Sequence, residues 1–184
     1  KIKKLNKKKL VLKAQIHAGG RGKGGGIKLV DNNENLFYEI KNMLGKTLIT
    51  HQTGPKGKII KRVYIEEATE IHKEFYLSCL VDRKTAKIAF ISSAQGGMDI
   101  EKIALENPKK INTNKISLNK EITQKEIENI TKPFLLNKTQ QEDAKNLIHS
   151  LFKILKEKDA NLIEINPLII SKDGKLVCLD AKMS

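Results

Sequence analysis

Apolar residues recur along this chain with two spacings, one near two residues and one near 3.6. "LVLKAQIHA" (10–18) and "GIKLV" (26–30) are rich in β-branched and apolar residues and read as strands. The connector between them is too short for a crossover helix, so the pattern predicts antiparallel neighbours. "NENLFYEIKNMLG" (33–45) reads as a helix with Gly45 as its C-cap. "KTLIT" (46–50) is a short strand and "TGPKG" (53–57) a turn. "KIIKRVYIEE" (58–67) and "EFYLSCLVDR" (74–83) are strands, and "DRKTAK" closes a hairpin into "KIAFISS" (87–93). "DIEKIALEN" is a short helix halted before Pro108, "INTNKISLN" (111–119) is extended or loop, and "TQKEIENI" (123–130) has helical spacing. The clearest helix runs from Thr139 to Asp159, with Ala144, Leu147, Ile148, Leu151, Phe152 and Leu155 on one face and a capping box from Thr139 to Glu142. "NLIEINPLIIS", "KDG" and "KLVCLDAK" form a closing β-hairpin turned at Asp173-Gly174. The expected class is α+β, with mostly antiparallel sheets and packed helices.

Length and composition narrow this picture. A chain of 184 residues buries a real core as one domain or two small ones. It opens at Lys1 and stops at Ser184 straight after a strand-like run, so it is expected to be a piece of a longer protein. There is no run of about 18 apolar residues to cross a membrane and no apolar h-region at the start. Cys79 and Cys178 stand alone inside apolar runs, which predicts buried, reduced thiols in an intracellular protein. The net charge is +14, and the first thirty residues carry ten Lys or Arg and no acid. Such a patch suits phosphates; a lysine- and asparagine-rich composition accounts for "KIKKLNKKK" equally well. Nucleic-acid binding is weakened by the absence of Trp and by aromatics scattered through core positions.

The sharpest chemical signal is "HAGGRGKGGG" (17–26), where six of ten residues are glycine. A linker has structureless flanks; this loop has a strand on each side. Glycine lets backbone N–H groups close on an anion, and Arg21 and Lys23 add charge for phosphate oxygens. The pattern lacks GxxxxGK[ST], and no helix follows to complete a dinucleotide fingerprint. Lys13, mid-strand among apolar residues, either faces solvent or is buried against an anion. His17 reads as a local hydrogen-bonding residue. In the last hairpin, Glu164 and Asn166 are two apart and share a sheet face, and the return strand brings Asp180 beside Asn166. A carboxylate, an amide oxygen and phosphates make the partly filled oxygen shell that Mg²⁺ prefers. The other reading of Asn166-Pro167 is a strand-ending turn that Asp180 caps, with Pro167 at the strand exit. "YIEEATEIHKEFYL" offers acceptors for an amino group and ribose hydroxyls, or is an acidic surface turn.

Taken together, "VLKAQIHAGGRGKGGGIKLV", "IEEATEIHKEFYL", "SSAQGGMDIEKIA" and "LIEINPLIISKDGKLVCLDAK" resemble the β subunit of succinyl-CoA synthetase (succinate–CoA ligase), within its ATP-grasp domain, from about Val11 to Met183. The resemblance implies an ATP-grasp fold over residues 1–184 in two α+β lobes, roughly 1–70 and 71–184, that hold nucleotide between them. It implies a phosphate-contacting lysine at Lys13, a "GRG" phosphate loop at Gly20, Arg21 and Gly22, and nucleotide contacts at Glu66, Thr69 and Glu74. It implies magnesium ligands at Asn166 and Asp180, and a catalytic Glu164 that receives a phosphohistidine loop of the partner. The reaction implied is the reversible conversion of succinate, CoA and ATP to succinyl-CoA, ADP and phosphate, with the phosphorylated histidine on an α subunit and none of this chain's four histidines in that role. Phosphoryl transfer of this kind asks for positioning and charge neutralisation. The family's amino-terminal segment and carboxy-terminal ligase domain lie outside this sequence. CoA and succinate are contacted through those regions, so the piece alone is expected to bind nucleotide without completing the reaction. No nucleic acid or membrane partner is expected, and the compartment is cytoplasmic, or the mitochondrial matrix in a eukaryote. The resemblance leaves open a malate–CoA ligase β subunit or a citrate-cleaving relative, and the composition leaves open a basic nucleic-acid-binding module. ATP or GTP preference is not legible.

Overall fold

The computed structural model describes residues 9–31 and 33–184; the lysine-rich start through Lys8 lies outside them. The chain divides into two compact units, one ending at Thr69 and the other running from Glu70 to Ser184.

The first unit is built on strands β1 (Leu10–Ala14), β2 (Ile27–Val30) and β5 (Val63–Glu67), in the order β2-β1-β5 and antiparallel throughout. Helix α1 (Asn33–Met43) covers one face, where Leu36 and Met43 pack with Leu10, Leu12 and Val30. A side pair, β3 (Thr47–Leu48) and β4 (Lys58–Ile59), adds Leu48 to the same core. The central strand is shorter than the apolar run suggests. Past Ala14 the chain leaves the ladder, with the Gln15 amide donating to the Arg62 carbonyl and the Ala18 amide to that of Ile16. The 58–67 run is likewise two strands, because the amide and carbonyl of Ile60 turn to Lys46 and Gly45.

The second unit carries β6 (Ile71–Asp82), β7 (Lys87–Ser93), β8 (Asn112–Ser117), β9 (Leu162–Ser171), β10 (Leu176–Cys178) and β11 (Ala181–Met183). Their order is β10-β9-β6-β7-β8, with β11 also on β9, all antiparallel. Helices α3 (Gln124–Thr131) and α4 (Lys138–Glu157) lay Ile130, Ile148 and Leu151 against Leu77, Phe90 and Ile165 of the sheet. Each such side chain, fully buried, contributes about 1.5–3 kcal/mol. A short helix, α2 (Ile100–Glu106), follows β7 and is capped by Asp99, whose carboxylate accepts from the Glu101 and Lys102 amides.

Three local expectations are corrected, and one open reading, extended or loop for 111–119, is decided. The long helix starts from Asn137 with a capping box to Gln140, two residues earlier than Thr139 and Glu142, because Asn137 holds the extended backbone an N-cap needs. "NTNKIS" is a strand, since β7 offers it a free edge. The strand does not exit at Pro167. β9 continues to Ser171 through a cis Asn166-Pro167 peptide, and Pro167 sits where the β6–β9 register shifts and where β10 gives way to β11. A proline is tolerated at such an interruption because no ladder donor is required there. Cys178 is exposed, since β10 is an edge strand, whereas Cys79 is buried in the core. Among the described residues, no helix is long and apolar enough to cross a membrane.

Candidate nucleotide and metal positions

In the first unit, Lys13 is opposite Tyr64 across β1 and β5, while Val11 is opposite Glu66. Lys13 and Glu66 are therefore diagonal neighbours on the sheet face turned away from α1. They form an ion pair, with Lys13 only 5% exposed. This answers whether Lys13 faces solvent: it is buried against an anion, as a buried lysine must be. Ile27 and Leu29 on β2 share that face and remain exposed, as does Tyr64.

The glycine loop is wound, not slack. The amides of Gly24, Gly25 and Gly26 donate to the carbonyls of Gly20, Gly22 and Arg21 at 3.2, 3.1 and 2.7 Å. The Ala14 amide donates to the Gly26 carbonyl at 2.7 Å, and Arg21 folds back so that Nη1 donates to the Ala14 carbonyl at 2.7 Å. Arg21 is thereby buried, while Gly22 and Lys23 stay exposed at the tip. A side chain on Gly26 would meet Leu48 Cδ2 at 2.5 Å, and one on Gly24 the Ile49 carbonyl at 2.7 Å. The glycines are thus required for close packing as well as for backbone access. Lys13, Gly20, Arg21 and Gly22 come together around the end of β1, with Glu66 joined through the ion pair. Thr69 follows β5, half-buried, at the end of this unit.

In the second unit, Glu164 stands opposite Ser78 on β6 and Lys182 on β11. Tyr76, on the same face of β6 as Ser78, is buried, and burial raises its phenol above the ordinary range, with the charges of Glu164 and Glu101 adding to the shift. The Glu101 carboxyl is also raised, chiefly by its hydrogen bond with Asp99 and then by burial. Asn166 and Asp180 are brought side by side by the Asn166 amide, which donates to the Asp180 carbonyl at 3.0 Å. The Asn166 side chain is itself held: its Oδ1 accepts from the Gly97 amide at 2.8 Å and its Nδ2 donates to the Met98 carbonyl at 2.9 Å. Glu74 lies beside the same turn, where a methyl on Gly97 would stand 2.6 Å from Glu74 Oε2.

The donor set at Asn166 and Asp180 fits a hard divalent cation. It is one amide oxygen and one carboxylate, and the amide oxygen keeps a second lone pair after Gly97 has used the first.

A family description, the ATP-grasp domain, matches residues 1–170. The chain belongs to the ATP-grasp family. Succinate–CoA ligase [ADP-forming] subunit beta of Pelagibacter ubique is 52% identical over 184 residues, which is 100% of this chain and 48% of that protein. The subunit of the same name from Bartonella tribocorum is 46% identical over 99% of this chain and 48% of its own length. The chain thus spans about half the length of these relatives. Among solved structures, ATP citrate lyase from Methanothrix soehngenii, in complex with citrate and coenzyme A, superposes with a TM-score of 0.64 at 17% identity, over 95% of this chain and 38% of that one. The dinucleotide-forming acetyl-coenzyme A synthetase 1 of Ca. Korarchaeum cryptofilum, in complex with coenzyme A, Ca-AMPCP and HgCl+, gives 0.62 at 15% identity, over 95% and 75%. These distant likenesses carry the ATP-grasp fold alone.

Sequence reasoning passed over two features of this ATP-grasp chain: the grip of the Gly97–Met98 turn on Asn166, and the burial of Tyr76 on the same face of β6 as Ser78, the residue opposite Glu164. The first had a signal in "QGGMD", a glycine pair just past a strand. The second had none, since it depends on strand register.

Proposed function

We propose that this chain is the nucleotide-binding part of a succinate–CoA ligase β subunit, an ADP-forming acid–CoA ligase. The observation that carries the reading is a buried Lys13–Glu66 ion pair at the root of a wound glycine loop, in a chain similar along its whole length to subunits of that name. The reaction is succinate, CoA and ATP to succinyl-CoA, ADP and phosphate, reversibly, with an α subunit carrying the phosphohistidine. CoA and succinate are met through regions outside this sequence.

In the first unit, Lys13 and Arg21 neutralise phosphate charge, and half-buried Gly20 and exposed Gly22 let backbone amides approach it. Glu66 and Thr69 contact the nucleoside, and the apolar shelf of Ile27, Leu29 and Tyr64 suits a flat base. In the second unit, Glu74 takes a ribose hydroxyl, while Asn166 and Asp180 hold Mg²⁺, which neutralises charge on phosphate oxygens when bound. Glu164 receives the partner's phosphohistidine loop, and its carboxylate orients the imidazole. The bacterial relatives favour a cytoplasmic setting.

A malate- or citrate-specific relative is not favoured, because the relatives at 45–52% identity are named for succinate and the citrate-cleaving enzyme shares only 17%. A basic nucleic-acid module predicts steeply salt-dependent oligonucleotide binding. The deciding experiment is thermal denaturation with ADP or ATP, with and without Mg²⁺. Magnesium-dependent stabilisation that disappears in Lys13→Ala and in Asp180→Ala supports the ligase reading. No shift with either nucleotide in a folded sample, together with salt-sensitive oligonucleotide binding unaffected by those substitutions, refutes it.

A further inference from the structure

We propose that the Gly97–Met98 turn is a positioning element for two binding positions at once: it fixes which way the Asn166 amide faces, and through Gly97 it sets where the Glu74 carboxylate lies. The inference rests on the reading of Asn166 as a metal ligand and Glu74 as a nucleotide contact.

An asparagine side chain can rotate by half a turn and exchange its oxygen for its nitrogen at little cost. Here it cannot. The Gly97 amide is a donor and requires the oxygen at 2.8 Å, and the Met98 carbonyl is an acceptor and requires the nitrogen at 2.9 Å. A flip would set donor against donor and acceptor against acceptor. The turn is anchored on both sides. The Gly96 amide donates to the Glu74 carbonyl at 3.3 Å, and a side chain on Gly96 would strike the backbone of Phe75 at 2.4 Å, so that residue lies flat on β6. After Met98, Asp99 caps α2 and fixes the exit. Between these anchors Gly97 takes a φ of +68°, and its missing side chain leaves the space that Glu74 Oε2 occupies. A methyl there would displace the flexible end of Glu74 and strain the local backbone, a loss small enough for the fold to survive while the two positions are disturbed. Groups that orient a ligand from behind commonly change metal affinity by roughly 10- to 100-fold.

The test uses Mn²⁺ as a paramagnetic substitute, titrated into the full chain with ADP present and followed by electron paramagnetic resonance, with circular dichroism to confirm folding. Gly97→Ala is expected to weaken Mn²⁺ binding roughly 10- to 100-fold, and to add nothing when combined with Asn166→Ala. A second variant does not depend on how Gly97→Ala folds. Asn166→Asp adds a negative charge, which by itself strengthens cation binding, but it turns an oxygen towards the Met98 carbonyl. Weaker Mn²⁺ binding in Asn166→Asp supports the positioning role; equal or tighter binding overturns it. Wild-type affinity in Gly97→Ala, with loss in Asn166→Ala, overturns the role of the turn and leaves the metal reading standing. Wild-type affinity in Asn166→Ala removes both.

Discussion

Lys13 and Glu66 meet diagonally across two antiparallel strands, and their ion pair lies on the face of the first unit's sheet opposite its apolar core. The pairing follows from strand register: Lys13 faces Tyr64, and Glu66 is the next residue on that face. Lys13 is almost wholly covered and Glu66 about a quarter exposed, so neither charge is free to hydrate fully.

Removing one partner should therefore be worse than removing both. Glu66→Leu leaves a buried ammonium and is expected to lower stability by about 2–3 kcal/mol, somewhat below the loss seen for fully buried pairs. Lys13→Met with Glu66→Leu should recover most of that loss. Urea unfolding of the single and double variants checks it, and equal losses in both would show that the pair is not coupled.

The loop glycines should separate into two kinds. Gly25 has a φ of +79° and no atom within 4 Å of an added side chain, so Gly25→Ala strains the backbone by about 1 kcal/mol. Gly26→Ala instead meets Leu48 at 2.5 Å and is expected to lose about 1–3 kcal/mol by overpacking. A double-mutant cycle with Leu48→Ala should show coupling for Gly26 and none for Gly25.

The start of α4 gives a sharp test of the corrected cap. Asn137→Ala removes the acceptor for the Gln140 amide and is expected to lower stability by about 1 kcal/mol. Thr139→Ala should stay within about 0.5 kcal/mol. Melting curves for the two variants decide between the positions.

Asp82 supplies a pH dependence. The Lys115 ammonium at 2.6 Å, then the Thr85 hydroxyl, hold its carboxyl down at about 2. A carboxyl depressed in the folded state stabilises the fold above its unfolded value near 4, and that contribution is lost as pH falls from about 4 to about 2. Asp82→Asn should flatten the stability profile in that window and leave its shape near neutrality unchanged. Unfolding midpoints measured from pH 2 to 7 provide the check, and identical acid limbs would count against the assignment.

Much of this was written in local order. Strand alternation determined the antiparallel pairing of β1 with β2 and of β6 with β7, and the heptad-like spacing from Ala144 to Leu155 determined the buried face of α4. The order of motifs along the chain marks Lys13, the glycine loop, Glu164, Asn166 and Asp180 as candidates. The sequence could not decide where β1 stops, because apolar residues continue through Ile16 to Ala18 while the pairing with β2 and β5 ends at Ala14. Nor could it say that Lys13 is paired with Glu66, or that Asn166 is held by a turn 68 and 69 residues earlier. Local spacing sets which face a side chain takes within its own strand. Which strand lies beside it, in what register, is a property of the assembled sheet, and it is that register which brings these groups within reach of one another.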